Sequence, residues 1–217
     1  CIGIAYDYVE KIEEYGKDSV PVSKLGVWRT YDEDSDNGIA KILLEEHLDF
    51  IYVNNLKDLS DFQCIIFPSM SLINEKFKLM VHDFIKNDGS IIVLGKSISN
   101  FFKNGISKDF GIKYISNPDF DCDYTSLKNS TINLYSNGPF LNYESGIKCE
   151  TFQNTEHLSE IHYPYFNRTI ENYCSHQKTP YVDKPSGYPG ITLNGKCLFF
   201  THDLDSIYNN HGSLLHR

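Results

Sequence analysis

The clearest hydrophobic pattern in the chain runs through residues 63–95. An apolar run, Cys64-Ile65-Ile66-Phe67, closes at Pro68-Ser69; Phe77, Met80, Val81, Phe84 and Ile85 then recur at helical spacing; and Ile91-Ile92-Val93-Leu94 closes at Gly95. Neither apolar run alternates with polar residues, which is the pattern of strands buried on both faces. Lys76, Lys78, Asp83 and Lys86 occupy the other side of the intervening helix, which the spacing predicts over 74–87 with a stop at Asn87-Asp88-Gly89. The stretch reads as a βαβ unit with a right-handed crossover.

Residues 2–6 predict a first buried strand ending in Asp7. A polar, weakly patterned stretch follows, in which Val20-Pro21-Val22 is extended and Val27-Trp28 forms a small apolar anchor. Asp34-Ser35-Asp36-Asn37-Gly38 offers capping side chains ahead of Ile39, Ile42 and Leu43, which share one face of a helix ending near His47. A strand over 49–53 comes next. This succession predicts an α/β fold: a doubly wound, flavodoxin-like parallel sheet flanked by helices, with 2–6, 50–53, 64–67 and 91–94 as neighbouring strands.

Between about residues 117 and 188 the period is lost and aromatics accumulate, among them Tyr124, Tyr135, Phe140, Tyr143, Tyr163, Tyr165, Phe166, Tyr173, Tyr181 and Tyr188. We read an irregular, β-rich insert. Its rings either fill a thin second core layer or form a surface for a partner chain or neighbouring domain, with Tyr163-Pro164-Tyr165-Phe166 the first candidate. Regular pattern returns at Gly190-Ile191-Thr192-Leu193, where the turn Asn194-Gly195 predicts a hairpin into Lys196-Cys197-Leu198-Phe199-Phe200. A last helix starts at Asp205.

The length of 217 residues suits one α/β domain, 1–217, carrying that insert. A net charge of −9 argues against nucleic acid or an anionic membrane as partner, because either needs a basic face. The opening Cys1-Ile2-Gly3-Ile4 looks like a strand already under way, so the chain is expected to be part of a longer one. Six cysteines, with no CxxC and no short spacing to histidine, predict no metal site and no cofactor, and a reducing, cytoplasmic setting. The sequons at Asn129 and Asn167 weigh little against this in an Asn-rich chain.

Two segments, DLSDFQCIIFPSMSLINEKFKLMVHDFIKNDGSIIVLG and PGITLNGKCLFFTHDLDSIYNNHGSLLHR, together resemble the class I glutamine-amidotransferase-like domain that follows the catalytic barrel in bacterial glycoside hydrolases. The trimerisation domain of family 42 β-galactosidases and a group of glycosyl hydrolases of similar layout are the nearest in style, and the likeness covers 42–97 and 189–217. The resemblance implies scaffolding: an accessory and oligomerisation domain whose partners are other subunits and a neighbouring barrel.

Working amidotransferases of this fold carry a cysteine in a Gly-x-Cys-x-Gly elbow after the strand that 91–94 resembles. Here the elbow reads Gly95-Lys96-Ser97-Ile98-Ser99, without the cysteine or the second glycine, so no catalytic residue is expected. The alternative is a serine hydrolase of the same fold with Ser97 as nucleophile, His202 as base and Asp205 as orienter. Against it, Ser97 also reads as a cap or loop serine, and Asp203 and Asp205 as acids at a helix N-terminus. The acidic clusters Glu45-Glu46, Asp119 with Asp121 and Asp123, and Glu144 with Glu150 read as solvated surface charge rather than a glycosidase acid/base pair. Sugar contacts, if the chain makes them, belong at the carboxyl ends of the parallel strands: Asp7, Asn54-Asn55, Ser69-Met70 and Lys96-Ser97.

Overall fold

The computed structural model describes residues 23–54, 59–128, 138–152 and 154–215. The strand expected at 2–6, Asp7, the extended 20–22 and Asn55 lie outside them. The elements are β1 (Leu25–Trp28), α1 (Glu33–Glu45), β2 (Ile51–Val53), β3 (Cys64–Phe67), α2 (Glu75–Lys86), β4 (Ser90–Leu94), a 3-10 segment (Gly95–Phe101), β5 (Ile106–Ser107), β6 (Ile112–Ser116), β7 (Asp123–Leu127), β8 (Phe140–Asn142), β9 (Lys148–Thr151), β10 (Glu156–His157), β11 (Ser159–His162), β12 (Ile191–Asn194), β13 (Cys197–Phe200) and α3 (Leu204–Leu215).

Seven strands form one sheet in the order β10-β12-β13-β4-β3-β1-β2. The run β2-β1-β3-β4-β13 is parallel throughout, and β12 and β10 add antiparallel at the far edge. That parallel run has the flavodoxin order, with its switch point between β1 and β3. The expected adjacency of 64–67 and 91–94 holds, since β3 pairs directly with β4. The expected adjacency of 50–53 and 64–67 does not, because β1 lies between them. Residues 25–28, read from sequence as loop with an apolar anchor, are that strand. Four residues containing a glycine, between polar neighbours, are too few for periodicity to register.

Side chains alternate across the sheet, and both faces are covered, which is why the strands look uniformly apolar. Trp28, Val53, Ile65, Phe67, Ile91, Val93 and Phe199 join one core with Phe77, Val81 and Phe84 of α2. Val27, Tyr52, Ile66 and Leu94 join the other with Ile39 and Leu43 of α1. Helix α2 begins as predicted, with the Asn74 side chain accepting from Phe77 N at 2.8 Å. Helix α1 starts earlier than predicted: Asp32 is its cap, accepting from Ser35 N at 3.0 Å, so Glu33, Asp34 and Asp36 sit in the first turn, where the helix dipole favours them. The hairpin is present one residue on from the expected turn, with Asn194 paired to Cys197 around Gly195-Lys196.

β5 and β6 pair with β9 in a small antiparallel sheet, β5-β6-β9, and β11-β7-β8 forms a second. Some of the insert's rings pack internally: Phe120 stacks on Tyr163 at 5.0 Å, and Tyr124 meets Tyr181 at 5.1 Å. Tyr165 and Tyr173 instead stand exposed.

Candidate functional site at the carboxyl edge of the sheet

Strand β4 ends in the turn Gly95-Lys96-Ser97. Gly95 has φ +44, and a Cβ there would lie 1.8 Å from Asp203 Oδ1, so no other residue fits without moving that carboxylate. Asp203 accepts from Lys96 N at 2.9 Å and pairs with Lys96 Nζ at 2.6 Å, a hydrogen bond that raises the lysine's pKa. Ser97 is buried beneath this clamp, and its hydroxyl donates to Leu94 O at 2.8 Å and shares its proton with Phe67 O at 3.3 Å. The oxygen points back into the sheet, whereas a nucleophile must present it to substrate.

His202, after β13, is also buried. Its Nε2 lies 2.7 Å from Asp123 Oδ1 and its Nδ1 3.2 Å from Thr201 Oγ1, so both ring nitrogens have partners inside the protein. Asp123 is a correction: read from sequence as solvated charge, it is 0 % exposed. It opens β7 with inward-facing alternation, and its carboxylate also accepts from Asn142 Nδ2 at 2.7 Å and Gly146 N at 3.0 Å. The group is a polar seam joining the β11-β7-β8 sheet to the end of β13. Glu45, Glu46, Asp119, Asp121, Glu144 and Glu150 are exposed, as expected.

Asp205 accepts from Ser35 Oγ and, at 2.9 Å, from Ser69 N. Burial raises its pKa, against the pull of those hydrogen bonds. It ties α1, the loop after β3 and α3 together, and Gly38 makes the approach feasible: a Cβ there would lie 1.8 Å from Asp205 O. Ser97, His202 and Asp205 thus bond to three separate sets of partners and not to one another.

Beside the switch point, sequence reading missed a second buried carboxylate. Asp36 Oδ1 accepts from Thr30 N at 3.0 Å and Thr30 Oγ1 at 2.6 Å, while Oδ2 accepts from Tyr31 N at 3.0 Å and lies 3.9 Å from Arg29 Nε. Burial raises the Asp36 pKa, and these contacts oppose the rise. They hold Tyr31, a residue 72 % exposed, at φ 61, a conformation that costs a bulky residue about 1–3 kcal/mol. The only sequence signal was Asp36 among capping residues, which does not point back six positions to Thr30.

Of the expected crevice residues, Lys96 and Met70 have exposed side chains, Asn54 is half-buried, and Ser69 is buried. An open groove of about 670 Å³ lies at the opposite, amino edge of the sheet, between Phe62, Phe84, Asp88 and Lys196. Among the described residues no group of three His, Cys, Asp or Glu side chains is placed to hold a metal. Burial pushes the Cys64 thiol up to about 11 and those of Cys149 and Cys197 up to about 12. Among the described residues no helix is long and apolar enough to cross a membrane.

Strand order and flanking helices define a flavodoxin-type α/β fold. Among solved structures, the chain is similar to α-L-fucosidase isoenzyme 2 from Paenibacillus thiaminolyticus, with TM-score 0.82 and 22% identity over 97% of this chain and 34% of that one. It is similar to the β-galactosidase from Bacillus circulans sp. alkalophilus, with TM-score 0.63 and 13% identity over 95% of this chain and 33% of that one. A glutamine amidotransferase from Thermotoga maritima matches with TM-score 0.50 and 8% identity over 91% of this chain and 85% of that one. The chain spans about a third of the length of the two glycosidases. No family profile and no curated protein matches it.

Proposed function

We propose that the chain is a non-catalytic accessory and oligomerisation domain of a larger carbohydrate-active enzyme that hydrolyses β-galactosides or α-L-fucosides. The observation that carries the reading is the buried Ser97 hydroxyl, committed to Leu94 O and Phe67 O at the position where an enzyme of this fold needs a free nucleophile. The share of the two glycosidases that the chain spans supports it. The partners in this reading are other subunits of the same protein and a neighbouring catalytic barrel. Tyr165, 65 % exposed, is the contact residue of choice, because Tyr163 is engaged with Phe120. The cysteines at 64, 122, 149, 174 and 197 are unpaired, which suits a reducing cytoplasm.

Two measurements on the full-length protein test this. Ser97→Ala leaves kcat/KM for an aryl glycoside within about twofold, whereas a loss of about 10³-fold defeats the accessory role. Light scattering reads a smaller mass for Tyr165→Asp with the domain still folded; an unchanged mass removes Tyr165 from the subunit contact.

A further inference from the structure

The loop after β1 is built to hold an aromatic ring out into solvent. Tyr31 is 72 % exposed, in a backbone conformation that L side chains avoid. Three hydrogen bonds from Thr30 and Tyr31 to the buried Asp36 hold it there. The Arg29 guanidinium lies 4.7 Å from the ring centroid on one face, and with Tyr31 72 % exposed the other face is open among the described residues. Left to solvation alone, a tyrosine would take an ordinary φ and lie down on the surface; here a buried carboxylate and an arginine fix the opposite arrangement. The location is the switch point between β1 and β3, where ligands of open α/β sheets bind, and the loop after β3 brings exposed Met70 and Leu72 to the same edge.

We infer that the free face of Tyr31 is a stacking platform for a neutral pyranose ring, a saccharide subsite at the carboxyl edge of the sheet. The C–H bonds on one face of a pyranose are weakly positive and meet the negative face of an aromatic ring. A rigid aromatic side chain supplies that area at little entropic cost, and prior fixing by Asp36 and Arg29 lowers it further. The choice of a saccharide rests on the accessory-domain reading above.

The experiment follows ring and Thr30 methyl resonances in the full-length protein, labelled on Tyr and Thr, during titration with lactose and with 2′-fucosyllactose. The expected result is a saturable shift at Tyr31 and Thr30 with either sugar. In Tyr31→Ala the Thr30 shift weakens about fivefold or more, and in Tyr31→Phe it stays within about twofold of the parent. No shift at either residue up to about 100 mM sugar in the folded protein overturns the platform. So does a Thr30 shift that survives Tyr31→Ala unchanged, or a Tyr31 ring already shielded by another part of the assembled protein. Glycosidase activity without these shifts removes the platform and leaves the accessory role standing; these shifts without glycosidase activity do the reverse.

Discussion

Replacing Asp123 with alanine removes the single acceptor shared by His202 Nε2, Asn142 Nδ2 and Gly146 N. Each buried donor left without an acceptor costs about 1–3 kcal/mol. Asn142 is only half-buried and can turn to water, and it keeps its bond to Thr125 Oγ1 at 2.7 Å, so the main cost falls on His202 and Gly146. The expected loss is about 3–5 kcal/mol, a large share of the roughly 5–15 kcal/mol that holds a typical domain folded. Urea denaturation followed by circular dichroism reads the total. Hydrogen exchange at the Gly146 amide reads the seam itself and should accelerate first, because β7 and β8 detach from β13 before the main sheet opens. A cycle with His202→Ala should give a coupling of about 1 kcal/mol or more. A loss under about 1 kcal/mol for Asp123→Ala, or additive single changes, would show that the seam is not an energetic unit.

The buried carboxylates set the pH dependence. Asp36 and Asp205 have pKa values raised in the folded chain, so the folded state binds protons that the unfolded state has already released. Stability contributed by these two groups is therefore present at and below the ordinary carboxylate range and lost as pH rises through their folded values. Asp205→Asn should flatten that part of a stability profile and be tolerated at neutral pH, while Asp205→Ala should cost about 2–6 kcal/mol by stranding both the Ser35 hydroxyl and the Ser69 N–H. Gly38→Ala, favourable in an open helix by about 1 kcal/mol, should destabilise here because it drives α1 from α3, and thermal melts decide the sign. Cys149 and Cys197, with thiols pushed up to about 12, should resist alkylation at neutral pH in the native chain and react on unfolding; prompt labelling would contradict their burial.

The central βαβ unit was legible in the sequence because its strands are buried on both faces and its helix on one, so periodicity states each element directly. β1 was not, since four residues with an internal glycine carry too little pattern, and missing it misplaced β2 relative to β3. At the carboxyl edge, Ser97, His202, Asp205 and Lys96 could be named from their places after apolar strands, but not their partners. Asp123 lies 79 residues from His202 and Ser35 lies 170 from Asp205; tertiary folding alone brings such pairs together. The Asp36–Thr30–Tyr31 clamp was hidden differently: it depends on a backbone conformation that residue type does not announce.

The accessory role is tested most directly by asking where covalent active-site probes attach. The full-length protein would be treated with a fluorophosphonate, which marks activated serines, and separately with a 2-deoxy-2-fluoro glycosyl fluoride, which marks the carboxylate nucleophile of retaining glycosidases. Peptide mapping then locates each adduct. No fluorophosphonate is expected on Ser97, whose hydroxyl is held by Leu94 O and Phe67 O, and any glycosyl ester is expected outside residues 1–217. An adduct on Ser97, or a glycosyl ester on a carboxylate within those residues, would contradict it.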